Sequence, residues 1–321
     1  MRAVWLAELG PPEALVPGPA ADPVAGAGQV VVAVAFAGIT FAETQARAGR
    51  SPFPLPPGAL PMILGNGVGG VVAATGPGVD ARLTGRRVVS GTGGRGGYAE
   101  RAAVDAAGLV EVPGGVALDQ AAALLADGRT AIALARAARI AAGDRVLVLA
   151  AAGGVGSLLV QLARAAGARV LAAAGGPAKL RLASELGAAV TADYRRPDWP
   201  AAIRAEAGGA DVVFDGVGGP AGRAAFELLA PGGRLLSYGL ASGELTRVSD
   251  DDARARQVQV ARGIAVTPGQ AAGLTRTALD LAAAGQLTPV IGQRYPLPAA
   301  ADAHRAIEAR TTTGKTLLEV P

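Results

Sequence analysis

The most constraining feature of the sequence is an apolar stretch interrupted by glycines, between Arg145 and Ala174. RVLVLAA (145–151) is an apolar run of strand length, and VGSLLVQLARAAG (155–167) is an apolar helix pattern closed by a glycine. ARVLAAA (168–174) has strand character again. A strand, a tight turn, a helix and a second strand within about 30 residues form one βαβ unit, which requires parallel strands.

The same alternation continues beyond this unit. PAKLRLASELG (177–187) has a proline in its first turn and a glycine at its end, which is typical of a helix. DVVFDGVG (211–218) and GRLLSYGL (233–240) are further strand patterns. Repeated β and α segments of this length predict an α/β fold with a doubly wound parallel sheet.

The glycine turn after residue 151 indicates a site for an anion. The helix that follows begins with unpaired backbone N–H groups at the positive end of its dipole, and glycines let a diphosphate approach them. We therefore predict a dinucleotide site at Ala152, Gly153, Gly154, Val155 and Gly156. The alternative is a tight turn that binds nothing. GNGVGG (65–70) and GTGGRGG (91–97) are also rich in glycine, but strand patterns follow them, so we expect turns packed against backbone there.

The segment after the second strand discriminates between dinucleotides. A site for NAD usually has an acidic residue about 20 residues past the glycines, to bind the ribose 2′-hydroxyl. LAAAGG (171–176) contains no acidic residue, and Lys179 opens the next helix. A cation without a carboxylate favours a 2′-phosphate, so we predict NADPH bound near Gly175 and Lys179. The alternative for Lys179 is an ordinary solvated helix residue.

The flanking regions have a different character. Short apolar runs between turn signals predict strands at 29–38, 69–76 and 86–91, with a proline-rich loop at 51–61. LDQAAALLADGRTAIALARAARI (118–140) predicts a helix with a break at Asp127 and Gly128, and a helix and a terminal strand are expected in 299–320. We expect this tail to pack on the first domain, which gives one domain from 1–118 with 262–321 and a nucleotide domain at 119–261.

The composition limits the available chemistry. The chain has 321 residues, no cysteine and one histidine, His304, which we expect on the surface or in helix packing. Cysteine-based zinc sites and thiolate catalysis are therefore excluded, and we expect no metal site. A net charge of +4, scattered arginines and 3% aromatic residues argue against a nucleic-acid partner. No signal peptide is recognisable, and glycines interrupt the apolar window 146–163, so we predict a cytoplasmic protein with no membrane association.

Several segments together resemble one protein family. AAAGGVGSLLVQLARAAGARV resembles the cofactor motif of the zinc-independent, zeta-crystallin-like quinone oxidoreductases of the medium-chain dehydrogenase/reductase superfamily. GITFAETQARAG (38–49), GGYAE (96–100), VVFDGVGG (212–219) and HRAIEARTTTGKTLLEV (304–320) resemble other landmarks of that family, in the same order. The resemblance implies a GroES-like β-barrel catalytic domain, a Rossmann domain, and a cleft between them that holds NADPH.

The resemblance also assigns roles to individual residues. It implies that Lys179 binds the 2′-phosphate, that Tyr194 stacks near the adenine, and that Thr130 lies near the nicotinamide. Gly239 and Leu240 match the segment beside the nicotinamide ribose. Lys179 and Lys315 are the only lysines of the chain, and we include Lys315 among the cofactor-binding candidates. The family further implies a homodimer joined by edge strands around 257–266.

Departures from the family pattern fall on the substrate side. Thr40 stands where the family usually has asparagine, Glu43 where it has aspartate, and Gln45 and Ser51 where tyrosines are frequent. Gly67 replaces a glutamate. We expect Thr40 and Gln45 to donate hydrogen bonds to the substrate, and solvent to supply the proton. Without cysteine ligands, we expect no zinc ion to polarise the carbonyl group of the acceptor. The acceptor should therefore spread the negative charge of the added hydride itself, as quinones and α,β-unsaturated carbonyls do.

Other functions fit the same sequence. The chain could be an enoyl reductase that acts on a biosynthetic intermediate. It could also be an NADPH-binding sensor or scaffold that has lost or altered its chemistry, because a fold does not fix a function. RNA binding by the basic surface is the least favoured function.

Overall fold

The computed structural model describes residues 1–51 and 55–321. Residues 52–54 of the expected proline-rich loop lie outside the described residues. The strands are β1 (Arg2–Leu6), β2 (Leu15–Pro19), β3 (Gln29–Ile39), β4 (Met62–Ile63), β5 (Gly67–Thr75), β6 (Arg87–Gly91), β7 (Arg101–Asp105), β8 (Val110–Glu111), β9 (Arg145–Leu149), β10 (Arg169–Ala174), β11 (Val190–Asp193), β12 (Ala210–Asp215), β13 (Leu229–Ser237), β14 (Gln259–Arg262), β15 (Ile291–Pro296) and β16 (Lys315–Glu319).

The helices are α1 (Phe41–Arg47), α2 (Leu118–Ala138), α3 (Gly154–Ala165), α4 (Pro177–Glu185), α5 (Trp199–Ala207), α6 (Gly219–Glu227), α7 (Asp250–Ala255), α8 (Pro268–Ala283) and α9 (Ala300–Glu308). The helices α2, α3, α4 and α9 lie where the sequence predicts helices, whereas α1, α5, α6 and α7 are not predicted. None of the described helices is both long and apolar enough to cross a membrane.

The chain forms two compact units, 1–129 with 268–321 and 130–267. The second unit contains a six-stranded sheet in the order β11-β10-β9-β12-β13-β14. All its neighbouring strands are parallel. The strand order reverses between β9 and β12, which makes this the doubly wound sheet expected from the sequence. The domain limits at 118 and 262 stay a prediction of the sequence.

The strands of the second unit form because both faces of the sheet are covered. Val146, Leu147, Val148 and Leu149 are all fully buried. A parallel strand between two helical layers needs this continuous apolar pattern, because neither face meets solvent. On one side of the sheet the core includes Trp199, Ile203 and Phe226 of the neighbouring helices.

The first unit is mainly antiparallel. Its larger sheet has the order β15-β16-β3-β5-β6-β8, with β7 also paired to β3, and a small sheet joins β2, β1 and β4. The C-terminal strand β16 pairs with β3, so the tail returns to the N-terminal strands as expected. Part of the two glycine-rich strings packs against backbone, since a Cβ on Gly70 would lie 2.0 Å from the Ala33 carbonyl oxygen and one on Gly65 would lie 2.4 Å from Gly97 Cα. Gly93, Gly94 and Gly96, by contrast, have nothing within 4 Å of an added Cβ. The expected packing against backbone therefore occurs at Gly65, Gly70 and Gly97 and not at 93–96.

The predicted break in the second helix is wrong. Helix α2 continues without interruption through Asp127 and Gly128. A Cβ on Gly128 would lie 2.9 Å from the Ala278 Cβ in α8. The glycine therefore allows a close helix contact, and this packing outweighs its low intrinsic helix propensity.

Candidate active site

The glycine turn lies directly after β9. The Gly153 N–H donates to the Ala150 carbonyl oxygen at 2.8 Å, and α3 begins at Gly154. No side chain caps this helix start, and its first turn carries no acidic residue. A Cβ on Gly156 would lie 2.2 Å from the Ala150 oxygen, so only glycine lets the helix start this close to the strand. This donor set of backbone N–H groups without an opposing carboxylate fits a diphosphate.

A second group of predicted residues lies at the same edge of the sheet. Gly175 follows β10, half-buried Lys179 lies in the first turn of α4, and the Tyr194 N–H donates to the Ala174 oxygen at 3.3 Å. A Cβ on Gly175 would contact Tyr194 Cε2 at 3.4 Å. Gly239 and Leu240 follow β13. Because parallel strands end at one edge, this unit gathers these residues beside the glycine turn.

Arg195 is a cation at this edge that the sequence analysis missed. A Cβ on Gly175 would lie 3.4 Å from Arg195 Cδ, and one on Gly176 would lie 2.9 Å from Arg195 Nη2. The Arg195 guanidinium donates to Asp193 at 2.6 Å, and mainly this hydrogen bond lowers the pKa of Asp193 to about 2. The edge that follows β10 and β11 therefore carries the cations Lys179 and Arg195, and the nearby acid Asp193 is already paired with Arg195.

The loop after β12 is held by a buried carboxylate. Asp215 accepts hydrogen bonds from the N–H groups of Val217 and Gly218 at 2.9 and 2.8 Å, and from the hydroxyls of Ser237 and Thr246. This network fixes the end of VVFDGVGG. An acid followed by glycines at a strand end could have indicated this role.

The first unit holds a polar cluster around Glu43. The Thr40 N–H and hydroxyl both donate to Glu43 Oε2, at 2.6 and 2.7 Å, and the Asn66 N–H donates to Glu43 Oε1 at 2.9 Å. Glu43 is 6% exposed, and burial raises its pKa, although hydrogen bonds from Thr40, the charge of Lys315 and a hydrogen bond with Tyr98 oppose the rise. Thr40 itself is half-buried.

The cluster continues inward through two aromatic side chains. The Tyr98 hydroxyl lies 3.0 Å from His304 Nε2, and both residues are fully buried. Burial, with a smaller contribution from Arg47, lowers the pKa of His304 to about 3, so the ring is neutral. Burial and the charge of Glu43 raise the pKa of Tyr98 well above its usual value. His304 was expected either on the surface or in helix packing, and the structure buries it in α9.

Two further predicted residues are engaged inside the same unit. Lys315 is 4% exposed, and its Nζ donates to Asp127 Oδ1 at 3.0 Å. Gln45 is buried, and its Nε2 donates to the Thr44 hydroxyl at 3.0 Å while its Oε1 accepts from Arg50 at 3.3 Å. The roles of Lys315 toward the cofactor and of Gln45 toward the substrate stay predictions. Thr130 lies half-buried in α2. No group of three or more metal-ligating side chains occurs within 1–51 and 55–321.

Comparison with known proteins decides the family. The model of the alcohol dehydrogenase GroES-like domain matches residues 26–114, and that of the zinc-binding dehydrogenase matches residues 154–283. A quinone oxidoreductase of Pseudomonas aeruginosa is 34% identical over 289 residues, which cover 88% of each chain. The chain belongs to the quinone oxidoreductase family.

Other relatives and solved structures agree with this family assignment. The structure of Escherichia coli quinone oxidoreductase complexed with NADPH has a TM-score of 0.91 at 28% identity, covering 99% of this chain and 100% of that chain. A 2-haloacrylate reductase from a Burkholderia species is 31% identical over 91% of each chain. The chain spans 14% of the length of a Mycolicibacterium smegmatis mycocerosic acid synthase-like polyketide synthase, to which it is 35% identical over 305 residues.

These comparisons confirm three predictions about this chain. It belongs to the medium-chain dehydrogenase/reductase superfamily, it combines a GroES-like domain with a Rossmann-type sheet, and it is an NADPH-dependent oxidoreductase. The uncapped start of α3 and the cations after β10 and β11 are suited to this cofactor.

Proposed function

We propose that this chain reduces a quinone or an activated carbon–carbon double bond with NADPH. The observation that carries the proposal is the edge of the parallel sheet, where an uncapped helix start follows β9 and cations follow β10 and β11. The amides of 153–156 would hold the diphosphate, and Lys179 with Tyr194 and Gly175 would hold the 2′-phosphate and adenosine end. Thr130, Gly239 and Leu240 would border the nicotinamide end. NADPH supplies a hydride when bound.

The acceptor class follows from what the side chains of this protein offer. Hydride addition to a quinone or enone leaves a negative charge that the acceptor itself spreads onto an oxygen, so hydrogen bonding is sufficient to stabilise it. Among the relatives, the names quinone oxidoreductase and 2-haloacrylate reductase each point to one of these two acceptor types. An enoyl group of a biosynthetic intermediate belongs to the same chemical class.

We further propose Glu43 and Thr40 as the source of the proton. The Thr40 hydroxyl has one proton, and that proton is directed at Glu43 Oε2. Thr40 donates to an acceptor oxygen only when Glu43 is itself protonated and donates to Thr40. In the reaction, Thr40 passes its proton to the reduced acceptor oxygen while Glu43 passes its proton to Thr40. Glu43 is left as a carboxylate facing Lys315, and solvent returns the proton through Thr40 after the product leaves.

Substituting Lys179 by alanine tests the cofactor end. We expect Kd and KM for NADPH to rise roughly tenfold or more, because a charged group on the 2′-phosphate is lost, and the values for NADH to stay unchanged. The measurement is NADPH and NADH consumption across 1,4-quinones, enals and enones. The control is Arg181→Ala, an exposed cation two residues further along α4. Equal losses with both nucleotides would contradict the role of Lys179.

The same acceptor screen distinguishes a reductase from an NADPH-binding protein without activity. An NADPH-binding sensor or scaffold would bind NADPH with the same dependence on Lys179 and turn over none of the acceptors. Measurable turnover of any quinone or enone by the wild-type protein, lost without NADPH, supports the reductase.

We also propose a homodimer that forms through β14. This strand is an edge of the six-stranded sheet, with β13 as its partner among the described strands. An open edge offers a row of backbone groups to a second copy. Light scattering is expected to give twice the chain mass for wild type and a single chain mass for Val260→Asp, which places a charge on that strand. A wild-type protein that is a monomer at high micromolar concentration would rule out the dimer.

A further inference from the structure

A cavity of about 570 Å³ lies entirely within the unit formed by 1–129 and 268–321. One wall is the end of β6 with the residues that follow it, and a second is α2 at Leu125 and Arg129. The start of α8, the adjoining ends of β3 and β7, and Ala107 and Gly108 after β7 complete the lining. This volume is in the range that small-molecule sites occupy.

Arg129 gives this cavity a positive charge that only Asp127 partly offsets. Burial lowers the pKa of Arg129, and only the charge of Asp127 opposes that effect. Asp127 already accepts from Lys315 Nζ at 3.0 Å. No hydrogen bond or ion pair to the Arg129 guanidinium occurs within the described part of the chain. A partly desolvated guanidinium with several free N–H groups is stabilised by an anion that accepts two of them.

The other polar groups of the lining are already engaged. The hydroxyls of Ser90, Thr92 and Thr275 donate to backbone carbonyl oxygens. The first turn of α8 contributes no acidic side chain. The acid of the described lining is Asp105, which accepts from Gln29 Nε2 at 3.2 Å on a different wall. A ligand with one negative charge suits Arg129, and a second negative charge would be repelled by Asp105.

We propose that this cavity binds a small organic monocarboxylate. Its carboxylate pairs with the Arg129 guanidinium, and its apolar body lies against Leu125 and the alanines at the start of α8. The site is defined by binding alone and does not depend on the reaction proposed above, so either can fail without the other.

The test is a calorimetric titration of the protein with sodium benzoate and with benzamide, which has the same shape and no charge. We expect benzoate to bind roughly tenfold or more tightly than benzamide, and Arg129→Gln to remove that preference. The matched control is Arg276→Gln, which removes an exposed arginine of α8 next to the lining residue Thr275. Terephthalate, with a second carboxylate, should bind more weakly than benzoate in wild type and recover in Asp105→Asn.

Each other outcome overturns the proposal. Equal affinities for benzoate and benzamide, no benzoate binding, or equal losses in Arg129→Gln and Arg276→Gln would show that Arg129 does not select an anion. Repeating the titration with saturating NADPH distinguishes a separate site from a part of the nucleotide site, because displacement of benzoate would assign Arg129 to the nucleotide. If Arg129→Gln does not fold, Arg129→Lys keeps the charge, loses the planar fork, and should bind benzoate with intermediate affinity.

Discussion

Gly156→Val is expected to lower the affinity for NADPH about 100-fold, while the protein stays folded. The Cβ of the new side chain would lie 2.2 Å from the Ala150 oxygen, 2.9 Å from the Ala150 carbonyl carbon and 3.0 Å from Ala151 Cα. These are backbone atoms of the strand-to-helix turn, so they cannot rotate away as a flexible side chain would. The start of α3 has to move off the strand, and its amides then no longer converge on one diphosphate.

Two glycine variants make this prediction specific. A Cβ on Gly153 would meet only the Ala150 oxygen, at 3.2 Å, so Gly153→Ala should weaken NADPH binding far less. Gly114 has nothing within 4 Å of an added Cβ, and Gly114→Ala should leave binding unchanged. NADPH fluorescence titration gives the affinities, and circular dichroism checks the fold. Wild-type affinity in Gly156→Val would mean that the turn after β9 does not hold the nucleotide.

The sequence predicts the second unit well because its signals are local. Fully buried parallel strands give unbroken apolar runs such as 146–151, and a helix that starts at a glycine turn can be predicted from neighbouring residues. The break predicted at Gly128 fails for the opposite reason. The continuity of α2 depends on its contact with Ala278, and a single sequence does not show which distant residue packs against a glycine.

The polar cluster of the first unit contains one contact with a local sequence signal and two contacts without one. Thr40 followed three residues later by Glu43 is a capping-box pattern, so the bond from the Thr40 N–H to Glu43 could have been predicted. The pair of Lys315 and Asp127 joins residues 188 positions apart, and that of Tyr98 and His304 joins residues 206 positions apart. Neither pairing leaves a local signal, so the burial of Glu43 among them could not be predicted.

Glu43→Gln is expected to lower kcat about 100-fold for acceptors that need a proton, in line with the usual contribution of a general acid. The substitution keeps the shape of the side chain and removes its titratable proton. Thr40→Val should lose a similar factor, and the double variant should lose no more than either alone, because both act in one proton transfer. Glu8→Gln, the same change at an exposed position, should have no effect.

The dependence on pH separates proton delivery from a structural role of Glu43. Because burial raises the pKa of Glu43, the folded state holds this proton at pH values where the unfolded chain has released it. Wild-type stability relative to Glu43→Gln should therefore fall as pH rises from the ordinary carboxyl pKa through the raised one. The groups that face Glu43 are Lys315, with its partner Asp127, and Tyr98, with its partner His304.

The pH dependence of kcat and that of the stability relative to Glu43→Gln should both report the raised pKa of Glu43. The pKa of His304 is lowered to about 3, so His304 adds no second step at higher pH. In wild type, kcat should fall with rising pH with its midpoint at the raised pKa of Glu43, which is the pH above which the stability relative to Glu43→Gln stops falling. The variant Glu43→Gln should show no such fall in kcat. Glu43→Asp, which keeps the acid on a shorter side chain, should recover part of kcat and restore a titration. If Glu43→Gln melts at a lower temperature but keeps the wild-type dependence of kcat on pH, Glu43 only caps its helix. The proton would then come from solvent.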